Sequence, residues 1–176
     1  MKNIVLIGFM GTGKTSTGRL LANRLGYSFV DTDYKIEKDC KQTIKEMFEA
    51  HGESYFREKE AAVVQKISRQ RQVVVSTGGG TILNPANMQA LRKNGIIISL
   101  TASVDVILER TGRRNTRPLL EHKDVEARRE IITALRAERE VLYKRADLII
   151  NTSDLTPLQV VEKIMGFVKK DVKPHA

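Results

Sequence analysis

Tryptophan is absent from these 176 residues, histidine occurs three times and cysteine once. A single cysteine, Cys40, excludes an internal disulfide and a cysteine-built metal site, and it reads as a packed or passive thiol. His51, His122 and His175 lie far apart in the chain, and none is assigned a catalytic role. Aromatic residues make up only 5% of the chain, so platforms on which nucleic-acid bases stack are scarce. No apolar run approaches a membrane span, and Met1-Lys2-Asn3 does not open a signal peptide. A soluble, cytoplasmic protein is expected. Repeats, low-complexity tracts and linkers are missing too, which at this length points to one domain over residues 1–176.

Positive charge is plentiful. Lys and Arg number 30 against 21 Asp and Glu, a formal net charge of +9. No polybasic block occurs, but Arg110, Arg113, Arg114 and Arg117 fall close together. Charge placed this way suits a nucleotide and a carboxylate better than a polymer, so no nucleic-acid partner is expected.

The chain is organised around Gly8-Phe9-Met10-Gly11-Thr12-Gly13-Lys14-Thr15, which follows the apolar run Ile4–Ile7 and leads into a helical pattern. The spacing G-x-x-x-x-G-K-T between a strand and a helix is the phosphate-binding P-loop. Glycines let backbone N–H groups close around phosphate oxygens, and the helix N-terminus adds partial positive charge. Lys14 reaches the β- and γ-phosphates, and the Thr15 hydroxyl ligates Mg²⁺.

Strand runs then alternate with helical patterns, which predicts an α/β fold with a parallel sheet. Strands are expected at Asn3–Ile7, Ser28–Val30, Val73–Val75, Ile96–Leu100 and Leu148–Ile150. Helices are expected from about Lys14 to Leu25, Tyr34 to Lys38, Thr43 to Ala50, and from Glu53 after a break at His51-Gly52. Further helices follow from Pro85 to about Lys93, closed by Gly95, and over Val104–Thr111, Val125–Arg145 and from Pro157 to before Lys169. The arginine-rich, aperiodic stretch 112–122 reads as a mobile lid, and the tail 170–176 as frayed.

Asp31 and Asp33 flank Thr32, so on an extended segment both carboxylates project to one side. One helps hold Mg²⁺ beside the P-loop, and the other accepts or orients the proton of a hydroxyl nucleophile. The plainer reading is a turn or N-cap ahead of the Tyr34 helix. Gly78-Gly79-Gly80 after a buried strand reads as a ligand-facing loop. Arg57 and Glu60, three apart, read on spacing alone as an ion pair on a solvated helix face. Arg117 before Pro118 is, on composition, a surface arginine, with phosphoryl-charge stabilisation from a closing lid as the sharper reading.

Taken in order, these motifs resemble the shikimate kinases over nearly the whole chain. The resemblance rests on GFMGTGKT at 8–15, DTD at 31–33, Phe56-Arg57 with Glu60, GGG at 78–80, Arg110, RPLL at 117–120 and Arg139 before Leu142-Tyr143. It implies a three-layer P-loop fold like the nucleoside monophosphate kinases, with a five-stranded parallel sheet in the order 2-3-1-4-5. It also implies ATP-dependent phosphorylation of the shikimate 3-hydroxyl by a monomer, on the route to chorismate and the aromatic amino acids. Asp33 would hold and orient the reacting hydroxyl, and Arg57, oriented by Glu60, would grip the carboxylate with Arg139. Gly79 and Gly80 would offer N–H groups, while Phe48 and Phe56 would wall the pocket. Gly11, Thr12, Gly13, Lys14, Thr15 and Ser16 would cradle phosphates and Mg²⁺, with Asp31 holding metal-bound waters. Arg110 would lie along the adenine and Arg117 would swing in with the lid. Arg139-Glu140-Val141 lacks the proline that many members carry, and Arg136, one turn earlier, competes for the carboxylate role. Two other readings remain: a P-loop kinase of another small alcohol such as gluconate, and a silent ATP-binding homologue.

Overall fold

Five strands form one parallel sheet: β1 (Asn3–Ile7), β2 (Ser28–Asp31), β3 (Val73–Ser76), β4 (Gly95–Thr101) and β5 (Leu148–Asn151), in the order β2-β3-β1-β4-β5. The computed structural model describes residues 2–112 and 124–171. Every residue of β1 is buried, because the central strand is covered on both faces and so reads as a continuous apolar run. Ile4 and Leu6 point to one side with Val74, Ile98 and Leu100, where α1 (Lys14–Leu25) and α7 (Pro157–Asp171) pack through Leu21, Val160 and Ile164. Val5 and Ile7 point to the other, with Val73, Val75 and Ile97. That second face is covered by α2 (Thr32–Cys40), α3 (Ile44–Ser68), α4 (Pro85–Asn94), α5 (Val104–Gly112) and α6 (Val125–Tyr143).

Local sequence sets the boundaries. Thr43 and Glu46 close a capping box at the start of α3. Asn84 caps α4 with Pro85 in its first turn, and Asp124 caps α6. The expected break at His51-Gly52 is present: Gly52, at φ 79° and ψ 174°, leaves the helical conformation, and two helical stretches meet across it at a kink within α3. Gly95 closes α4, as expected, without entering the left-handed region. It is extended (φ −128°) and opens β4 directly. The second helix begins earlier than Tyr34, at Thr32, with consequences for the two aspartates described below. Among the described residues, no helix is long and apolar enough to cross a membrane.

Candidate active site

The C-terminal edge of the sheet collects the residues singled out by sequence. After β1 the chain turns through Gly8, Gly11 and Gly13, at φ 143°, 74° and 91°, a backbone path that side-chain-bearing residues rarely follow. Gly13 is the N-cap of α1, with no side chain hydrogen-bonded to the helix start and no acidic residue in the first turn. The first amides of α1 therefore face an open cavity of about 600 Å³ with the macrodipole behind them, as an anion site requires. Lys14 is buried, and its Nζ donates to the carbonyl oxygens of Gly8 and Phe9 at 2.8 Å each. Ser16 Oγ donates to Gly13 O at 3.1 Å, and the buried Thr12 hydroxyl closes the loop by donating to Phe9 O at 2.8 Å.

Asp31 does two things at once. Its Oδ2 accepts from the Thr15 hydroxyl at 2.8 Å, and its Oδ1 accepts from the amides of Asp33 and Tyr34 at 3.1 and 3.3 Å. The helix-cap reading thus holds for this residue, and the same carboxylate stands against the P-loop threonine. Because its cap starts α2 at Thr32, Asp33 lies inside the helix, and the expected extended pair of aspartates is corrected: helix geometry, not alternation along a strand, aims the second carboxylate. Thr15 Oγ1 is also 3.4 Å from Ser76 Oγ at the end of β3. Thr15, Asp31 and Ser76 make an all-oxygen cluster of the kind a hard divalent cation accepts. No group of three or more His, Cys, Asp or Glu able to hold a metal occurs among the described residues.

A second cavity, about 350 Å³, lies between α3, α6 and the loop after β3. Arg57 Nη1 donates to Glu60 Oε2 at 2.9 Å, while its Nε and Nη2 reach Glu53 Oε1 at 3.1 and 3.0 Å. Burial pulls the Arg57 pKa down, but Glu60 and Glu53 outweigh it and hold the guanidinium above its ordinary value. Glu60 is only 1% exposed and its Oε1 accepts from Thr81 Oγ1 at 2.7 Å, so the pair does not lie on a solvated helix face. Phe56 lies under Arg57 and packs against Phe48 with the rings tilted and their centroids 5.3 Å apart, and both phenylalanines line the cavity. Arg139 enters from α6, buried, with its guanidinium 5.9 Å from the Phe9 ring centre and its Nε without a hydrogen-bond acceptor among the described residues.

The three glycines sit where these side chains converge. A Cβ on Gly78 would lie 2.5 Å from Asp33 Oδ1, and one on Gly80 would lie 2.6 and 2.7 Å from Arg57 Nη2 and Nη1. A Cβ on Gly79 would lie 3.7 Å from Arg139 Nη1. At Gly78 and Gly80 close approach, not an unusual backbone angle, is what demands glycine, whereas the contact at Gly79 is an ordinary one. Tyr143 holds the loop by donating its hydroxyl to Gly79 O at 2.8 Å. Burial pushes that hydroxyl up to about 12, against the pull of the Arg139 guanidinium, so it stays a donor across the neutral range.

The two cavities meet: Met10, Asp33, Gly78 and Gly79 line both. Arg136 does not reach either, because it faces a different cavity on the sheet side of α6. Arg110 lines the phosphate cavity, but its guanidinium is tied to the loop: Nη1 donates to Gly11 O and Thr152 Oγ1 at 3.2 Å each, and Nη2 to Thr152 O at 2.9 Å. Arg117 and the expected lid, save Gly112, lie outside the described residues.

Five contributors escaped the sequence reading, among them Ser76 at the end of β3, which carried no role. Glu53 had a signal, its i,i+4 spacing to Arg57. Tyr143 stood in a quoted motif but had no role attached. Thr81 and Thr152 had none, and Thr152 joins the P-loop by donating to Thr12 O at 3.0 Å across 140 residues of sequence.

Comparison with known proteins gives one answer. The sequence profile of the shikimate kinase family matches residues 10–169. A shikimate kinase of Caldanaerobacter subterraneus subsp. tengcongensis is 48% identical over 94% of this chain and 95% of its own. One of Pelotomaculum thermopropionicum is 46% identical over 97% of each. The solved shikimate kinase from Acinetobacter baumannii in complex with shikimate superposes with a TM-score of 0.92 at 35% identity, covering 99% of this chain and 96% of that one.

Proposed function

The chain belongs to the shikimate kinase family, and from that membership we infer that it transfers the γ-phosphoryl group of ATP to the 3-hydroxyl of shikimate. The observation that carries the assignment of roles is the meeting of two cavities, one a cradle of backbone amides and one walled by arginines, at Asp33 and the glycine loop.

On the nucleotide side, the α1 amides and the P-loop take the phosphates, and Lys14 exchanges the Gly8 and Phe9 carbonyls for β- and γ-phosphate oxygens. Thr15 and Asp31 would hold Mg²⁺, which supplies charge neutralisation at the phosphates. On the acceptor side, Arg57 and Arg139 fork onto the shikimate carboxylate, a planar match that lysine does not offer. Glu60 keeps Arg57 aimed. Exposed Glu53 gives up its share of Arg57 at little cost, since surface ion pairs contribute only about 0–1 kcal/mol. Asp33, fixed by its cap to Asp31 and packed on Gly78, orients the 3-hydroxyl and faces its proton. The hydroxyl oxygen attacks the γ-phosphorus, the bond to the ADP oxygen breaks, and the O–H proton leaves toward the Asp33 carboxylate. The reading extends to a monomer acting in the cytoplasm, because both cavities are walled by one chain and both substrates are small.

Coupled ADP release with Mg-ATP tests the assignment. Shikimate is expected to stimulate it strongly, with gluconate and AMP at background. Robust transfer to gluconate with shikimate at background would overturn it, and specific activity that rises with protein concentration would overturn the monomer. Gly80→Ala probes the acceptor side alone: the added methyl displaces Arg57, and the shikimate KM is expected to rise about tenfold, the worth of a displaced charged hydrogen bond, with the ATP KM unchanged.

A further inference from the structure

Behind the P-loop, between α6 and the β4–β5 side of the sheet, lies a cavity of about 430 Å³ that phosphoryl transfer leaves unused. It shares no residue with the acceptor cavity or the phosphate cavity. Its floor carries a polar side chain from the sheet. Ser99 is fully buried on β4, and its Oγ has no hydrogen-bond partner among the described residues. A buried hydroxyl left unpaired costs free energy that a ligand accepting or donating there would recover.

The mouth carries Arg136, half-buried and without an ion pair or hydrogen bond among the described residues. The one acidic neighbour, Glu140, is bonded to Lys144 Nζ at 2.8 Å, and its pKa is held down first by that bond, with Arg136 a minor contributor. Glu140 is thus engaged first by Lys144, which leaves the Arg136 guanidinium without a bonded carboxylate among the described residues. Between mouth and floor the walls are apolar: Phe9, Val104, Ala137 and the exposed Ile149, the β5 partner of Ser99. A cation at one end, a hydroxyl at the other and apolar walls between them describe the complement of a small ring-bearing carboxylate with a polar group opposite the acid.

We propose that this cavity is a second small-molecule site, specific for compact cyclic carboxylates, with Arg136 as the carboxylate receptor and Ser99 as the hydrogen-bonding partner at the floor. Its occupant would touch Phe9 and Thr12 of the P-loop and Tyr143, whose hydroxyl holds Gly79.

The test uses 4-hydroxybenzoate and benzoate as probes in calorimetric titration of the full chain, with shikimate saturating the acceptor site. Binding of 4-hydroxybenzoate is expected under those conditions, and Arg136→Ala is expected to weaken it about tenfold, the loss of a charge-assisted hydrogen bond. Arg136→Ala should leave shikimate kinetics intact, and Arg139→Ala should leave probe binding intact. Ser99→Ala should fold normally and remove most of the preference for 4-hydroxybenzoate over benzoate. Probe displaced by shikimate, or lost in Arg139→Ala, would place it in the acceptor cavity and overturn the proposal. So would affinity indifferent to both Arg136→Ala and Ser99→Ala, or no binding up to about 10 mM, where even weak specific sites fill.

Discussion

Asp33→Asn is expected to lower kcat for shikimate phosphorylation by about 10²–10⁴-fold while leaving ATP affinity within about threefold. Asparagine keeps the shape that fits against Gly78, where even a methyl on the neighbouring backbone would come within 2.5 Å of the carboxylate. It also keeps the backbone amide that bonds Asp31. What it loses is the negative charge that faces the acceptor proton. Asp33 lines both cavities, so the substitution distinguishes its two neighbourhoods. Single-turnover rates alongside nucleotide titration measure the split. An ATP affinity that falls as far as turnover would assign Asp33 to the nucleotide instead.

Arg139→Ala is expected to raise the shikimate KM by about a hundredfold, the scale of removing one partner from a buried charged pair, with the ATP KM nearly unchanged. The size follows from burial: Arg139 is 9% exposed, packed on Phe9, and its Nε lacks an acceptor among the described residues. Arg139→Lys should recover only part of the loss, because an ammonium cannot present a fork. Steady-state kinetics of both variants beside Arg136→Ala settle the point, and a KM effect in Arg136→Ala with none in Arg139→Ala would move the carboxylate grip one turn earlier.

The sequence carried the parallel sheet and the P-loop because each depends on short-range pattern: uninterrupted apolar runs for strands buried on both faces, and glycine spacing for a loop that must turn before a helix. Asp31 was legible as both a cap and a P-loop partner, though only the structure lets one carboxylate serve both with different oxygens. The Arg57–Glu60 spacing was legible, yet its burial was not, since that depends on Thr81 and the glycine loop packing over α3. Arg136 and Arg139 could not be separated by spacing, because three residues on a helix leave two side chains on neighbouring lines, and tertiary packing decides which enters the cavity. Thr152 left no local trace because its partners are remote in sequence.

That last contact bears on how the protein is made. The central strand and the P-loop are made well before Thr152, which fastens the carbonyl of Thr12 and the guanidinium of Arg110 and lies only a few residues before α7. Partial chains can pair β1 with β3 and β4 during synthesis and still lack the clasp on the phosphate loop. A chain that has reached β4 but not Thr152 thus carries the glycine-rich motif without the bonds that tie Thr12 and Arg110 to the far end of the sheet.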